Sequence, residues 1–155
     1  MEYLKINLFG KGFYLGARSN VLVWAEWEKP EGKLNRENPF LLKVEKQLQE
    51  YLEGKRKVFS FKTEPAGTPF QKRVWDELLH IPWGKTISYF EMAQALGNPL
   101  SVRAVASAIG KNPIAIFIPC HRVISKSGGL GGYSGGLPTK VSLLKVEGHE
   151  RRNWP

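Results

Sequence analysis

The residue with the clearest chemical potential is Cys120, the only cysteine in the chain. An apolar run and Pro119 precede it, and His121 and Arg122 follow at once. A thiol attacks as its thiolate, and a neighbouring base or cation lowers its pKa. The segment therefore predicts a nucleophilic cysteine. The competing interpretation is that a lone cysteine serves as a small buried hydrophobic residue.

A nucleophile of this kind needs a base and a group that orients the base. Side chains of adjacent residues point to opposite faces of a strand, so a pair of Cys120 and His121 needs a turn at Pro119 or a bridging water. Glu147 follows the last predicted helix and is the candidate to orient His121. The sequence spacing by itself does not prove this triad.

Composition limits the class of protein. The chain has 155 residues, of which 42% are hydrophobic and 12% aromatic, as expected for a folded globular protein. One cysteine cannot form an intrachain disulfide, which suits a reducing compartment. Neither a signal peptide nor a membrane-spanning apolar run is visible, so we expect a cytoplasmic protein with no membrane partner.

The histidines give no metal-binding pattern. His80, His121 and His149 are scattered without ligand spacing, and a zinc site would need more cysteines or histidines than the chain offers. We therefore expect no metal site.

Positive charge is concentrated in the second part of the chain. Residues 1–66 carry 12 Lys/Arg and 9 Asp/Glu, whereas residues 67–155 carry 11 Lys/Arg and 5 Asp/Glu. The net charges are therefore +3 and +6, which sum to the +9 of the whole chain. This distribution favours the second part as the one that binds a polyanion such as nucleic acid.

The first part, residues 1–66, reads as a scaffold domain. Apolar alternation predicts a three-stranded antiparallel meander up to Trp27, and a polar stretch follows over residues 28–37. Asn38 and Pro39 then begin a helix with one apolar stripe, which Gly54 ends. Residues 62–67 read as a linker, and no catalytic cluster is visible in this part.

The second part, residues 67–155, is predicted to be mainly helical. Capping boxes at Thr68 and Ser88 begin two helices, and Asn98 begins a third that ends at Gly110. Short helices joined by a tight glycine turn are typical of a helix-turn-helix, although ordinary helical hairpins share the pattern. The core face of the first of these helices is predicted to comprise Phe70, Val74, Trp75, Leu78 and Leu79. A strand over residues 114–118 and a helix over residues 139–146 follow.

Two segments suggest contact with a partner. One face of the third helix carries Arg103, Ala106, Ser107 and Gly110, which are small apart from the arginine. Such a face suits either approach to a nucleic-acid backbone or close packing on another element, and the pattern leaves both open. Residues 128–136 hold six glycines around Tyr133 and Ser134, as in a loop that contacts a ligand or one that is merely flexible.

Residues 68–149 resemble the O6-alkylguanine-DNA alkyltransferase family. The matching blocks occur in colinear order: Gly84-Lys85-Thr86-Ile87-Ser88-Tyr89, Gly97-Asn98-Pro99, Arg103-Ala104-Val105, Gly110-Lys111-Asn112-Pro113, Ile118-Pro119-Cys120-His121-Arg122-Val123, Gly132-Tyr133-Ser134-Gly135-Gly136-Leu137 and Glu147-Gly148-His149. The resemblance implies an α/β (α+β) chain with a small N-terminal antiparallel sheet and helix, ribonuclease H-like, followed by a helix-turn-helix, winged-helix-like domain.

The activity implied by the resemblance is direct-reversal DNA repair. An alkyl group on O6 of guanine, or on O4 of thymine, would pass irreversibly to Cys120, once per molecule, after the nucleotide is flipped from the minor groove of double-stranded DNA. His121, acting through a water and held by Glu147, would take the thiol proton. The resemblance also implies that the transfer needs no cofactor. A monomer is expected.

Further roles are carried over from the family residue by residue. Tyr89 would promote flipping and bind the guanine, and Arg103 would fill the gap in the duplex beside Ala106 and Ser107. Asn112 matches a hinge residue. The predicted base-binding residues, besides Tyr89, are Val123, Tyr133, Ser134 and Lys140; the main-chain carbonyls of Cys120 and Val123 would accept from the exocyclic amine.

Two other functions remain open at this stage. A helix-turn-helix regulator or lesion sensor with a structural Cys120 explains the charge and Arg103, but leaves the Cys-His-Arg segment unexplained. A cysteine hydrolase explains Cys120 and His121 but not the DNA-binding features. The sequence also departs from some family members at Ala115, where they have proline.

Overall fold

The computed structural model describes residues 1–151 and Trp154. The strands are β1 (Glu2–Leu8), β2 (Lys11–Arg18), β3 (Val21–Glu26), β4 (Lys33–Leu34), β5 (Lys62–Thr63), β6 (Ile87–Ser88) and β7 (Val123–Ile124). The α-helices are α1 (Pro39–Leu52), α2 (Pro69–Leu78), α3 (Tyr89–Ala95), α4 (Val102–Gly110) and α5 (Leu137–Val146). Two 3₁₀ turns lie at Pro99–Ser101 and Cys120–Arg122.

The N-terminal sheet contains the predicted meander and two strands that the pattern did not predict. Strands β1, β2 and β3 pair antiparallel, which confirms the meander. The order in the sheet is β4-β1-β2-β3-β5, and the outer strands pair parallel to their neighbours. Strands β4 and β5 lie in the stretches interpreted as a polar segment and a linker. Each has only two residues, too few to show an alternating pattern.

Helix α1 begins as predicted. The Asn38 side chain accepts a hydrogen bond from the Leu41 backbone N–H at 3.0 Å, and Pro39 occupies the first turn. The apolar stripe faces inward, with Leu41, Val44, Leu48 and Tyr51 almost fully buried.

The helices of the second part also begin where the capping boxes predict. Thr68 and Ser88 each accept from the backbone three residues ahead, and the Gln71 and Glu91 side chains return the bond. The apolar face of α2 is narrower than expected. Val74, Trp75 and Leu78 are buried, but the prediction was wrong for Phe70 and Leu79, which are 36% and 49% exposed. They flank the stripe and remain partly open to solvent.

Helices α3 and α4 form the predicted helix-turn-helix. Gly97, at a φ of 86°, adopts the left-handed conformation that lets the chain leave α3 sharply. The turn then passes through Pro99–Ser101 into α4. The last helix begins at Leu137, two residues before the predicted start, because Pro138 lies in its first turn.

Residues 114–118 do not form the predicted strand. They make a compact buried turn in which the Ile118 N–H donates to the Ile114 carbonyl at 3.0 Å and Ile116 has a φ of 74°. The Asn112 side chain holds both ends, since it accepts from the Ile114 N–H at 3.0 Å and donates to the Ile118 carbonyl at 2.8 Å. A short apolar run signals burial, and this side chain supplies the bonds that a strand partner would otherwise provide.

The two parts of the chain share one hydrophobic core. Buried residues of the sheet and α1 join those of α2, α4 and the 114–118 turn in a continuous cluster. Ala25 links the parts through its backbone, donating to the Pro113 carbonyl at 2.9 Å and accepting from Ala115 at 2.8 Å. The proposed division between residues 66 and 67 stays a prediction. Within the described part of the chain, no helix is long and apolar enough to cross a membrane.

Trp75 tests the packing of α2 on α4. Its ring is 2% exposed and its Nε1 donates to the Ala108 carbonyl at 2.9 Å. We expect Trp75→Ala to lower the free energy of unfolding by about 3–5 kcal/mol, because it opens a cavity and removes one of the two hydrogen bonds that the Ala108 carbonyl accepts, the other coming from the Lys111 N–H. Denaturant unfolding measures the change. Leu79→Ala, at the C-cap of the same helix, is the control and should cost less than about 1 kcal/mol; equal losses would contradict this packing.

Candidate active site

Cys120 begins a 3₁₀ turn rather than ending a strand. This turn, Cys120–Arg122, confirms the expected break at Pro119 and places Cys120 and His121 on neighbouring sides of one tight helix. Cys120 is 5% exposed and helps to line a pocket of about 400 Å³. That volume lies within the range of small-ligand sites.

The Glu147 carboxylate, at the end of α5, is the centre of the hydrogen-bond network behind this turn. Its Oε1 accepts from Arg122 Nε at 2.9 Å and from the Gly84 N–H at 3.1 Å. Its Oε2 accepts from His121 Nε2 at 2.7 Å, Tyr51 Oη at 2.5 Å and Arg122 Nη2 at 3.1 Å. Burial would raise the pKa of Glu147, but these partners, His121 first, hold it well below the usual range. The group is therefore an anion.

His121 is fully buried and held by one of its two ring nitrogens. Nε2 donates to the anionic Glu147, so Nδ1 carries the lone pair. Nδ1 is buried and finds no partner among the described residues. Burial lowers the pKa of His121, against the opposing effect of Glu147, so the ring is neutral near pH 7 and can act as a base.

Two groups in this network were not assigned from the sequence. Arg122 binds Glu147 through two nitrogens and donates its third to the Ile81 carbonyl at 2.6 Å. Tyr51 arrives from α1, 96 residues away, in the part expected to hold no site residues. Its position on the apolar stripe of α1 signalled burial only. No pattern in the sequence connects it to Glu147.

The resting state of Cys120 differs from the expectation. Burial raises the pKa of the thiol to about 11, and it outweighs the opposing hydrogen bond from Asn112 and the charge of Lys140. The expected net lowering by cationic neighbours is therefore wrong for the free protein. The residue is stored as a neutral thiol and needs a base at the moment of reaction.

Lys140 lies beneath the pocket rather than in its lining. Its ammonium group, fully buried, donates to the Val123 carbonyl at 2.8 Å, to the Gly132 carbonyl at 3.1 Å and to the Leu130 carbonyl. Burial lowers its pKa to about 8, with the Cys120 charge opposing, so it is mainly protonated at neutral pH. The lysine thus holds the glycine-rich loop and places a cation near the thiol. The Val123 side chain is also buried away from the pocket.

The pocket is lined by residues of α3, α4 and the glycine-rich loop. Tyr89, Tyr133 and Ser134 line it together with Cys120. Gly131 crosses the Tyr89 ring so closely that a Cβ there would lie 2.6 Å from the phenol oxygen, which explains the glycine.

The N-terminal sheet holds this loop from the other side. Trp27 meets the Tyr133 ring edge to face at 5.5 Å between centroids, and Lys11 Nζ donates to the Gly135 carbonyl at 2.9 Å. The position of the loop therefore depends on both parts of the chain.

Helix α4 presents its small-residue face outward. Ala106 and Gly110 line the mouth of the pocket, while Arg103 and Ser107 are exposed on the same face. A Cβ added at Gly110 would meet no atom within 4 Å. Of the two interpretations left open, close packing on another element is therefore wrong, and the face is free to meet a partner.

The fold and the site together define a helix-turn-helix protein that presents a buried thiol, backed by an imidazole–carboxylate pair, beside an exposed recognition helix. A profile described as 6-O-methylguanine DNA methyltransferase, DNA binding domain, matches residues 69–149. The constitutive methylated-DNA–protein-cysteine methyltransferase of Bacillus subtilis is 44% identical over 126 residues, covering 80% of this chain and 76% of the relative. The methylated-DNA–protein-cysteine methyltransferase of Methanosarcina acetivorans is 47% identical over 121 residues, covering 78% and 77%.

Solved structures agree with these relatives. The crystal structure of Mycobacterium tuberculosis OGT in complex with DNA superposes with a TM-score of 0.86 at 36% identity and covers 95% of this chain and 92% of that one. The chain belongs to the methylated-DNA–protein-cysteine methyltransferase family, and the resemblance stated from the sequence motifs is confirmed.

Lys140→Met tests the electrostatic support of the thiol. Removing the cation should raise the pKa of Cys120 further, because burial is then less opposed. The pH dependence of Cys120 carbamidomethylation by iodoacetamide measures this pKa. Lys145→Met, an exposed position on the same helix, is the control. A thiol pKa unchanged in a folded Lys140→Met protein would contradict the assignment.

Proposed function

We propose that this protein repairs alkylated double-stranded DNA by taking the alkyl group from O6 of guanine, or O4 of thymine, onto Cys120. The observation that carries the proposal is the placement of the only thiol in a pocket whose mouth is formed by the exposed face of α4, with His121 next to it in the same 3₁₀ turn and bonded to Glu147. The relatives named methylated-DNA–protein-cysteine methyltransferase support it.

The proposed reaction is a single in-line displacement. His121 Nδ1, whose lone pair is unused, takes the thiol proton through a bridging water, and the Glu147 anion stabilises the imidazolium. The thiolate sulfur then bonds the alkyl carbon while the carbon–O6 bond breaks. Guanine leaves after it gains a proton at N1 or O6. The thioether is not reversed, so each molecule acts once and needs no cofactor.

The flipped base would be recognised within the pocket. Tyr89 and Tyr133 offer rings to pack on it, and Ser134 offers a hydroxyl toward O6. The carbonyls of Cys120 and Val123 each accept one internal bond already, from the Val123 N–H and from Lys140. Each keeps a second lone pair for the exocyclic amine. Lys140 would act through the loop it holds rather than by contact.

The DNA would be approached through α4. Its small residues Ala106 and Ser107 allow the helix into the minor groove, and Arg103 would fill the gap left by the flipped nucleotide. Tyr89 would crowd the flanking phosphate, and Asn112 would act as the hinge between α4 and the 114–118 turn. The relative solved in complex with DNA supports this partner. We further propose a monomer that works in the cytoplasm, where a single free thiol stays reduced.

The alternative function, a helix-turn-helix regulator or lesion sensor, receives no support from the structure. It requires Cys120 to be a structural residue, whereas the side chain lines a pocket beside the exposed helix face. Sequence-specific binding to undamaged DNA would be the result that favours it.

Intact-mass spectrometry tests the transfer directly. After incubation with duplex DNA that contains O6-methylguanine, we expect one methyl group per molecule, on Cys120. Cys120→Ala should abolish the transfer and keep DNA binding, because the exposed face of α4 is untouched. Repeated turnover, or unmodified wild-type protein, would refute the proposal.

Arg103→Ala tests the flipping role. The variant should lose more than about tenfold in transfer rate on duplex DNA, since the arginine no longer offsets the cost of unstacking, and keep its rate on free O6-methylguanine base. Arg18→Ala, an exposed arginine at the end of β2, is the control. Equal losses on the two substrates would show that Arg103 does something other than support flipping.

A further inference from the structure

We infer that Tyr51 is a positioning residue for alkyl transfer, and that helix α1 is thereby part of the reaction machinery. The inference rests on the proposed function. Its ground is the placement of one hydroxyl against both members of the base pair: Tyr51 Oη donates to Glu147 Oε2 at 2.5 Å and lies 3.3 Å from His121 Nε2.

The three groups form a closed triangle inside the protein. His121 and Tyr51 have no exposed surface, and Glu147 is 3% exposed. Burial and the Glu147 charge raise the pKa of Tyr51 well above its usual value, so the phenol stays protonated and can only donate its proton to Glu147. Its lone pairs then face the N–H of His121 Nε2, which is shared between the carboxylate and the phenol.

The surroundings fix the phenol in this position. The Tyr51 ring packs on Phe59 at 5.5 Å between centroids, and Phe59 packs on Phe117 of the 114–118 turn at 4.7 Å. Gln47, one turn earlier on α1, exchanges two hydrogen bonds of 2.9 Å with Ser60 and so ties the helix to the same segment. The ring is therefore linked through Phe59 to the 114–118 turn, which directly precedes Pro119 and Cys120.

The consequence concerns the tautomer of His121. Of the two neutral tautomers of His121, only the one with the proton on Nε2 donates a hydrogen bond toward Tyr51 Oη and Glu147 Oε2. That tautomer leaves the Nδ1 lone pair available to receive the thiol proton. The hydrogen bond from Tyr51 also stabilises the negative charge on Glu147 Oε2. It therefore moderates how strongly the carboxylate holds a proton on His121.

Tyr51→Phe is the decisive variant, because it keeps the ring and removes only the hydroxyl. We expect the methyl-transfer rate to fall roughly tenfold, the loss that one hydrogen bond of this kind represents. We also expect the acidic limb of the pH–rate profile, and the His121 titration followed by NMR, to move to higher pH, since Glu147 then stabilises the imidazolium more. Tyr3→Phe, a buried tyrosine on β1 that contacts none of these groups, is the matched control.

Packing alone cannot produce that shift. A Tyr51→Phe protein with a lower melting temperature but an unchanged His121 titration would overturn the inference, as would an unchanged transfer rate. The NMR readout does not depend on alkyl transfer, so it decides the role of Tyr51 even if the wild type transferred nothing. A wild-type protein that transferred no methyl group would contradict the proposed function instead.

Discussion

The structure of the site depends on one buried anion. Glu147 sits where almost no water reaches, and a carboxylate in such a place is tolerable only when its lone pairs are filled. Its lone pairs are filled by four residues from three regions of the chain: α1, the loop before β6, and the 3₁₀ turn that holds both His121 and Arg122. Each of these hydrogen bonds also holds its donor in place. The arrangement therefore fixes the His121 ring and joins distant parts of the chain at one point.

Burial shifts the pKa values of Cys120 and His121 in opposite directions. Burial favours the neutral form of both groups, so Cys120 keeps its proton and His121 lacks one. A protein that can react only once benefits from this state, because a permanent thiolate would react with any electrophile that entered. In the proposed reaction, Glu147 would stabilise the protonated form of His121, and Lys140 would supply a nearby positive charge for the thiolate.

The N-terminal part is more than a scaffold. It holds the pocket loop through Trp27 and Lys11 and completes the hydrogen bonds of Glu147 through Tyr51. These contacts explain why the core runs continuously through both parts of the chain. A site assembled in this way keeps its geometry only while the two parts remain packed, whereas the exposed face of α4 is built from local sequence alone.

The sequence by itself determined the local features: the capped helices, the meander, the helix-turn-helix and the adjacency of Cys120 to His121 across a turn. Each depends on residues a few positions apart, where turn chemistry and periodicity act directly. Only the tertiary structure decided that residues 114–118 turn instead of forming a strand, that Cys120 rests as a thiol, and that Tyr51 meets Glu147. These features depend on burial and on contacts between residues far apart in the chain, and such contacts leave no periodic trace in a single sequence.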